Sequence, residues 1–342
     1  MHAFDTVAAR TVLVAAVTFT ASATPLVAQV AGLRGTMVVT NKGPATATII
    51  DVATGRALAT LPTGQGPHEV VLSGDGRVAV VTDYGAQGPG GNTLTVIDVP
   101  GLRVARTIDL GQYRRPHGIV FLPGDSLVAV TSESTGNVVV VSVAASTVRT
   151  AIPTTQNGSH MVAVVGNGSL MYTGNMQSST VSELDVRTGR FVRTFDVPAQ
   201  PEAINVTPDG AEVWVGSNAT GRVSVVDPKT GAVTTAAEGV SWPYRILFSP
   251  DRRFTFLPDM RNQELRFLDR ASRRELGRIP FPNGGPQGIT ITPDGKYLLQ
   301  SLSREARVAI IDVATRAVVG HIPAGDTPDG IAYHPRALAA ER

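Results

Sequence analysis

The sequence predicts an all-β fold, a seven-bladed β-propeller of four-stranded blades. A turn-forming tetrapeptide separates two apolar runs, with clear copies at residues 73–76, 207–210, 249–252 and 292–295 and looser copies at 122–125, 165–168 and 334–336. An aspartate closes a later apolar run in six repeats, and Ser142 takes the remaining slot. These slots lie 47, 44, 43, 42, 42 and 43 residues apart. Such a period, made only of short strands and turns, indicates a radial array.

The repeat that runs from His117 to Ile152 shows how one blade is built. Residues 118–122 are continuously apolar, which is typical of a strand buried on both faces, and Pro123-Gly124-Asp125 then turns the chain. Residues 127–131, 137–143 and 147–152 predict the three following strands. Four strands in so short a segment form a meander, the unit of a propeller blade.

The two ends of the chain are predicted to share one blade. Residues 36–40, 46–52 and 57–61 predict its second, third and fourth strands, and residues 330–333 predict a lone first strand. Pairing of the N-terminal strands with the C-terminal strand closes the ring, so no sheet edge stays open between the first and last blades. A single domain is therefore expected over residues 29–342, with its blades within about residues 35–335.

Residues 1–28 have the pattern of a secretory signal peptide. Arg10 precedes a short apolar run over residues 11–23, and small residues follow that run. An N-terminal membrane anchor is the alternative, but a helix needs about 20 apolar residues to cross a bilayer. We expect an exported protein, periplasmic or secreted, that has no membrane span after signal cleavage.

The composition excludes several classes of function. The chain has no cysteine, which excludes covalent c-type haem, Cys-ligated clusters and thiol catalysis. The net charge is +2 and the basic residues are scattered, so no nucleic acid partner is expected. The glycine-rich residues 84–92 are not a phosphate-binding loop, because no helix follows them. Neither haem nor NAD is expected, and a monomer is predicted.

The glycine-rich segment of residues 84–92 is either a mobile flap or a tolerated surface insertion.

The repeat resembles that of the YVTN-repeat β-propellers, often called YncE-like. The matching elements are Pro286-Gln287-Gly288-Ile289, residues 292–295, residues 213–218, residues 223–227 and Thr230-Gly231. The resemblance covers about residues 35–335 and implies that the first strand of each blade is innermost. That superfamily includes binding proteins, lactone hydrolases and cyclases, lyases and electron-transfer subunits, so the resemblance implies the fold and leaves the function open.

If the first strand is innermost, the residue after its leading Pro or Ser lies at the mouth of the central channel. We call the seven residues in this slot the anchor ring. They recur at spacings of 49, 43, 42, 42, 43 and 42 residues and should therefore lie at equivalent heights. The anchor ring consists of His68, His117, His160, Glu202, Tyr244, Gln287 and Asp329.

Three of the chain's six histidines fall on consecutive members of the anchor ring. Imidazoles from neighbouring inner strands can converge on one ion, and a carboxylate can complete the set. The sequence therefore predicts a site for one divalent transition metal on His68, His117, His160 and Glu202. Plain lining of a wet channel mouth by histidine is the alternative.

Further polar residues are expected on the same face. Seven residues at or just after the ends of second strands are predicted to lie near the rim, and the loops before the first strands add three more. These ten residues are Asn41, Asp83, Tyr84, Glu133, Asn175, Asn218 and Asp259, with Arg114, Arg115 and Trp242. Glu69 and Arg245 occupy the slot after the anchor, where most repeats have Gly or Ala. A charge that breaks a local pattern often marks a function. Glu69 is expected to orient His68 and Arg245 to bind a substrate carboxylate, and a rim ion pair is the alternative for both.

Two functions remain open at this point. In the first, the funnel face binds a small ligand, a metal ion or a partner protein without catalysis. The expected ligand-binding residues are Glu69, Tyr84, Tyr244, Gln287 and Asp329. In the second, the chain is a lactonase, cyclase or lyase type of enzyme, and a metal-dependent form through the His-rich site is left open. There His117 or His160 is the general base, Glu69, Glu133 or Glu202 is its partner and Arg245 is the clamp.

Overall fold

The computed structural model describes residues 30–338, and the predicted signal peptide lies outside this range. Within it the chain forms 28 strands. In chain order they are β1 (Thr36–Asn41), β2 (Thr46–Asp51), β3 (Arg56–Pro62), β4 (Pro67–Leu72), β5 (Val78–Asp83), β6 (Thr93–Asp98), β7 (Arg103–Asp109), β8 (Pro116–Phe121), β9 (Leu127–Ser132), β10 (Asn137–Ser142), β11 (Thr147–Pro153), β12 (Ser159–Val164), β13 (Leu170–Asn175), β14 (Thr180–Asp185), β15 (Arg190–Asp196), β16 (Pro201–Val206), β17 (Val213–Ser217), β18 (Arg222–Val226), β19 (Val233–Glu238), β20 (Leu247–Phe248), β21 (Phe254–Asp259), β22 (Glu264–Asp269), β23 (Glu275–Pro280), β24 (Pro286–Ile291), β25 (Tyr297–Leu302), β26 (Arg307–Asp312), β27 (Ala317–Pro323) and β28 (Pro328–His334).

The strands form seven four-stranded antiparallel sheets, which are the blades of a β-propeller. Blade 1 has the order β28-β1-β2-β3, so the C-terminal strand pairs with the N-terminal strands and closes the ring as predicted. Blades 2 to 7 each take four consecutive strands, beginning at β4, β8, β12, β16, β20 and β24. The fold class expected from the repeat is confirmed.

The first strand of each blade lines the channel and the fourth lies outside. First strands of successive blades contact one another, as β4 does with β8 and β8 with β12. The third strand β10 is buried along its length, whereas the fourth strand β11 is mostly exposed. Apolar faces of neighbouring blades pack together, and one core cluster joins Val181 of blade 4 to Val213 of blade 5. Burial between blades is therefore the main source of stability.

The aspartates at the ends of the third strands have the structural role that their recurrence indicates. Asp227 accepts hydrogen bonds from the backbone N–H of Lys229 and from the hydroxyl of Thr230. Asp51 binds the Ala53 N–H in the same manner. Within the described residues, no helix is long and apolar enough to cross a membrane.

Candidate functional site

A β-bulge places the anchor residue at the channel mouth in six blades. In blade 2, Pro67 pairs with Asp83 and Val70 with Val81, so His68 and Glu69 lie in the bulge between the two pairs. The same break in register occurs in blades 1, 3, 4, 5 and 7. Blade 6 departs further, because β20 is only two residues long. A bulge redirects the local side chain, and here it turns each anchor away from the ladder.

Hydroxyl groups of the neighbouring blade hold the anchor backbone in place. Thr40 donates to the carbonyl oxygen of His68 at 3.0 Å, and Thr131 to that of His160 at 2.6 Å. Ser301 donates to the Asp329 carbonyl oxygen at 2.8 Å. Each hydroxyl lies on the second strand of the blade before the anchor. The ring is therefore positioned by contacts between blades as well as within them.

The anchor side chains fill the channel mouth and cover one another. No member of the ring is more than 9% exposed, and Asp329 is fully buried. The predicted ring is thus brought together as a packed layer. Its members contact a second set of residues that directly follow the second strands, including Lys42, Tyr84, Glu133, Asn218 and Met260.

The three histidines stack face to face. The ring centroids of His117 and His160 are 3.8 Å apart with a tilt of 31°, and those of His68 and His117 are 4.5 Å apart with a tilt of 39°. Stacked rings direct their nitrogen lone pairs alongside one another and not towards a common point. Over residues 30–338, no group of three or more His, Asp or Glu side chains is arranged to hold a metal ion. The metal site on His68, His117, His160 and Glu202 stays a prediction that this geometry does not support.

The three stacked imidazoles differ in pKa. Burial lowers the pKa of His117 well below its ordinary value, and the neighbouring imidazoles His160 and His68 lower it further. Burial also lowers the pKa of His68, although Asp329 opposes the change. Burial disfavours protonation of His160 as well, but the carboxylates of Glu133 and Glu202 outweigh it and raise the pKa of His160. Of the three imidazoles, His160 is therefore the one whose protonated form the site favours.

Glu133 joins two of the predicted site residues. His160 Nδ1 lies 3.2 Å from Glu133 Oε2, and the Tyr84 hydroxyl donates to the same oxygen at 3.0 Å. Burial opposes ionisation of Glu133, but His160 and Tyr84 lower its pKa overall. Burial and the Glu133 charge raise the pKa of Tyr84 to about 12. The result is an ionised carboxylate that orients a protonated imidazole.

Asp329 is the centre of a second cluster. Its Oδ1 accepts a hydrogen bond from the Tyr244 hydroxyl at 2.8 Å, and its Oδ2 lies 2.8 Å from His68 Nδ1, although that contact is poorly aligned for a hydrogen bond. Lys42 Nζ lies 3.8 Å from the same oxygen. Burial opposes ionisation of Asp329, but His68, Lys42 and Arg245 lower its pKa to about 2.

Glu69 and Arg245 form an ion pair with each other. An ion pair is the alternative that the sequence left open for both residues. Within the described residues, the Glu69 carboxylate makes no hydrogen bond to the His68 imidazole. The Arg245 guanidinium also lies over the Tyr244 ring, 4.2 Å from its centroid. Burial lowers the pKa of Arg245 to about 10, against the attraction of Asp329. Below this pair the channel continues as a cavity of about 230 Å³, lined mainly by apolar inner-strand residues such as Ile119 and Ile204.

On the opposite side of the ring, in blades 5 to 7, the anchor side chains contact uncharged groups. Glu202 accepts from the Asn218 amide and, at 2.9 Å, from the Trp242 indole N–H. Burial raises the pKa of Glu202 despite the nearby His160. The Gln287 amide nitrogen lies 3.6 Å from the Met260 sulfur.

Four buried atoms of this site have no hydrogen-bond partner within the described part of the chain. They are His117 Nδ1, Asn218 Oδ1, Gln287 Oε1 and Asp329 Oδ2. Buried polar atoms in folded proteins are paired in the great majority of cases, so a cluster of unpaired ones indicates a place where water or a ligand binds.

Sequence reasoning placed some second-layer residues correctly and missed others. Tyr84, Glu133 and Asn218 contact the anchor ring as expected, but Asp83 is 1% exposed and bonds to Thr93, Thr95 and the Gly64 N–H inside its blade. The expectation that Asp83 lies at the rim is wrong, because the side chain turns into the sheet. The same expectation is wrong for Asn41, Asn175 and Asp259, which are also fully buried. Lys42 and Met260 were missed, although they occupy the same slot as Tyr84 and Glu133. That shared slot is the signal that could have found them.

The glycine-rich segment of residues 84–92 is held against the mouth. Arg115 donates to the Gly88 carbonyl oxygen at 2.9 Å, and Arg114 to that of Gly90 at 3.3 Å. The Arg115 guanidinium also lies 4.9 Å from the Tyr84 ring centroid. These contacts tie the segment to the loop before β8, one side of the funnel.

Comparisons with known proteins agree with the propeller fold. No protein-family profile matches the chain. It is 27% identical over 158 residues to the seven-bladed beta-propeller protein Rv1057 of Mycobacterium tuberculosis, a match that covers 44% of this chain and 40% of that protein. The match thus spans well under half of the curated relative. The chain is a seven-bladed β-propeller. Membership of the YVTN-repeat group is not confirmed.

Solved structures show the same architecture at low sequence identity. Hydrazine synthase of Kuenenia stuttgartiensis matches with a TM-score of 0.70 and 18% identity over 82% of this chain and 93% of that chain. A functionally unknown protein of Desulfotomaculum acetoxidans matches with a TM-score of 0.71 and 17% identity over 88% of this chain and 99% of that chain. At these identities the likeness extends to the fold alone.

Proposed function

We propose that this propeller binds a small polar ligand at the anchor ring, without catalysis. The observation that carries the proposal is the set of buried atoms at the channel mouth that have neither a hydrogen bond nor an ion-pair contact, on His117, Asn218 and Gln287. Leaving such atoms unsatisfied costs about 1–3 kcal/mol each. A ligand that pairs with several of them recovers this free energy, so the mouth has a built-in affinity for a molecule of complementary polarity.

The rigidity of the ring also supports binding. The bulges and the hydroxyl groups of Thr40, Thr131 and Ser301 hold the anchors before any ligand arrives. A preformed site loses little conformational entropy on binding. Concave sites with a few convergent polar groups are the usual form of small-molecule sites.

The proposal can be tested with protein purified without an affinity tag. Native mass spectrometry would detect a copurified small molecule or metal ion, and a thermal-shift panel of polar compounds would detect binding directly. His117→Phe blocks the centre of the stack and should abolish both signals. His321→Phe, on the outer strand β27, is the matched control and should leave them unchanged. Equal signals from both variants would place the binding site elsewhere.

A second candidate function rests on the His160–Glu133 pair. An imidazole oriented by a carboxylate, which is itself held by Tyr84, can act as a general acid or base. A lactonase type of enzyme would use it to activate water, with Arg245 as the carboxylate clamp. Turnover of a lactone panel by the wild type, lost in Glu133→Gln, would favour this function over simple binding.

We also propose that the protein is exported. Arg10, the short apolar run over residues 11–23 and the small residues that follow it support this proposal. Fractionation of cells that express the full chain should recover it from the periplasm or medium with a shortened N-terminus. Recovery of the uncut chain from the cytoplasm would contradict the proposal.

A further inference from the structure

One carboxylate at the channel mouth has no cation within ion-pair distance. Four acidic side chains meet there, and three of them are in ion pairs. The pairs are Glu69 with Arg245, Glu133 with His160, and Asp329 with His68. Glu202 has no ion-pair partner among residues 30–338, and it is only 4% exposed. A buried carboxylate is expensive unless a positive charge accompanies it.

The partners of Glu202 are neutral. The Asn218 amide and the Trp242 indole donate to Glu202 Oε2 and leave its charge in place. Trp242 itself faces the guanidinium of Arg261, whose carbon lies 5.1 Å from the indole centroid and is not within ion-pair distance of Glu202. The hydrogen bonds of the Glu202 carboxylate therefore come from neutral dipoles, and the nearby His160, which is paired with Glu133, acts on it only from beyond ion-pair distance.

Two further acceptors in the same half of the ring lack donors. Asn218 Oδ1 belongs to the residue that holds Glu202, and Gln287 Oε1 lies on an anchor that is 93% buried, since Gln287 is 7% exposed. Both are amide oxygens that can only accept hydrogen bonds. Blades 5 and 7 thus present a carboxylate and two carbonyl oxygens with no donor to satisfy them.

We propose that this half of the anchor ring binds a small organic cation through a primary ammonium group. An ammonium group carries one positive charge and three N–H donors, which match Glu202, Asn218 Oδ1 and Gln287 Oε1 in charge and number. The donor set of one carboxylate and two amide oxygens does not form a multidentate metal site within the described residues. The inference deepens the proposed function and rests on it.

The test uses simple probes at constant ionic strength. Isothermal titration calorimetry with n-butylammonium chloride should show saturable binding by the full chain. Three comparison ions are used. Tetramethylammonium has the positive charge without N–H donors, butyrate (as the sodium salt) has the opposite charge, and K⁺ (as the chloride) is an inorganic cation. All three are expected to bind at least about tenfold more weakly than butylammonium, because charge-assisted hydrogen bonds are lost.

Variants locate the binding. Glu202→Gln keeps the shape and removes the charge, and it should weaken butylammonium binding at least about tenfold. Glu183→Gln is the matched control, because Glu183 is also 4% exposed but lies on β14 and pairs with Arg193. If Glu202→Gln fails to fold, Gln287→Met removes one acceptor at little change in volume and should weaken binding in the same direction.

The outcomes separate this inference from the proposed function. Stronger binding of butyrate than of butylammonium would overturn the cation inference while leaving a ligand-binding mouth. Equal binding of potassium or tetramethylammonium would overturn the assignment of a primary ammonium group. Absence of binding by every probe and by the wider polar panel would overturn both proposals.

Discussion

Arg245 and Glu69 form an ion pair across the central channel, although 176 residues separate them in the chain. Arg245 is 9% exposed, so the pair is buried beneath the anchor ring. Both residues line the cavity of the central channel, beside inner-strand side chains such as Ile119 and Ile204. The pair therefore places two opposite charges on the wall of that cavity.

Removing one partner of this pair should destabilise the fold strongly. In Glu69→Gln the buried Arg245 charge loses its ion-pair partner and keeps only the longer-range attraction of Asp329, so we expect a loss of about 3–5 kcal/mol in the free energy of unfolding. The double variant Glu69→Met, Arg245→Met should recover most of it, because both charges are gone. Urea unfolding measures each value.

The control for that experiment is an exposed pair. Arg222 and Glu238 are 51% and 64% exposed, and Glu238→Gln should change stability by less than about 1 kcal/mol. If Glu69→Gln lowered the free energy of unfolding as little as this control, the channel pair would be solvated and would not stabilise the fold.

The architecture could be predicted because every repeat supplies the same evidence. Seven copies of one turn and one aspartate slot fix the period, and residues 36–40 and 330–333 show how the ends complete a blade. The same regularity placed the anchor ring correctly, since equal spacing in a propeller means equal height. Strand bounds such as Arg222–Val226 agree with the structure for this reason.

The contacts within the site could not be predicted from spacing. Which anchor reaches which neighbour depends on side-chain length and direction across an axis, so Glu69 meets Arg245 and Tyr244 meets Asp329 without any sequence proximity. Asp83 and Tyr84 are adjacent, but strand alternation sends the first into the blade and the second into the funnel. The sequence pattern predicts a full first strand in blade 6, whereas the structure has the two-residue strand Leu247–Phe248 and an isolated bridge between Pro243 and Asp259.

The charge of the histidine stack can be read by titration. The pKa of His160 is raised, so its imidazole should titrate above 6.5 in nitrogen-resolved NMR spectra, whereas His117 should stay neutral throughout. Because the folded pKa exceeds the unfolded value, the stabilising contribution is present below pH 6.5 and is lost as the pH rises through the folded pKa.

Glu133→Gln is the informative variant for this titration. It removes the carboxylate that holds the His160 proton, so the His160 pKa should fall and the loss of stability at rising pH should diminish. His334, at the end of β28, serves as an internal reference outside the stack. A wild-type His160 that titrates below 6.5 would contradict the assignment.

Asp83 should give the fold a second pH dependence. Burial raises its pKa to about 6, although Thr93, Thr95 and the Gly64 N–H oppose the change. The raised value means that the protonated form is favoured in the folded state, so stability is lost as the pH rises through about 6. Relative to Asp83→Asn, the wild type should lose about 3 kcal/mol between pH 4 and pH 7.

Asp294 provides a comparison of opposite sign. The Thr292 hydroxyl lowers the pKa of this exposed turn residue, so its contribution should be lost as the pH falls. Chemical unfolding of the wild type, Asp83→Asn and Asp294→Asn gives both slopes when the range extends from pH 7 down to about pH 2, because the lowered pKa of Asp294 places its transition below 3.8. A pH dependence of Asp83→Asn that equals the wild type would show that Asp83 titrates normally.

Close packing of neighbouring inner strands should make Gly330 intolerant of any side chain. Gly330 follows the anchor Asp329, and a Cβ there would lie 2.3 Å from the His68 carbonyl oxygen and 2.8 Å from the Glu69 Cα. These are backbone atoms of the next blade, so the blades would have to separate. We expect Gly330→Ala to lower the free energy of unfolding by about 1–3 kcal/mol, as overpacking of a core does, in spite of the usual gain from restricting the unfolded chain.

Gly43→Ala is the control, because its Cβ would meet only the side chains of Asp326 and Thr327, both at 3.3 Å. Equal stability of the two variants in urea would show that the closing blade can shift, and that the small residue after the anchor is not a packing requirement.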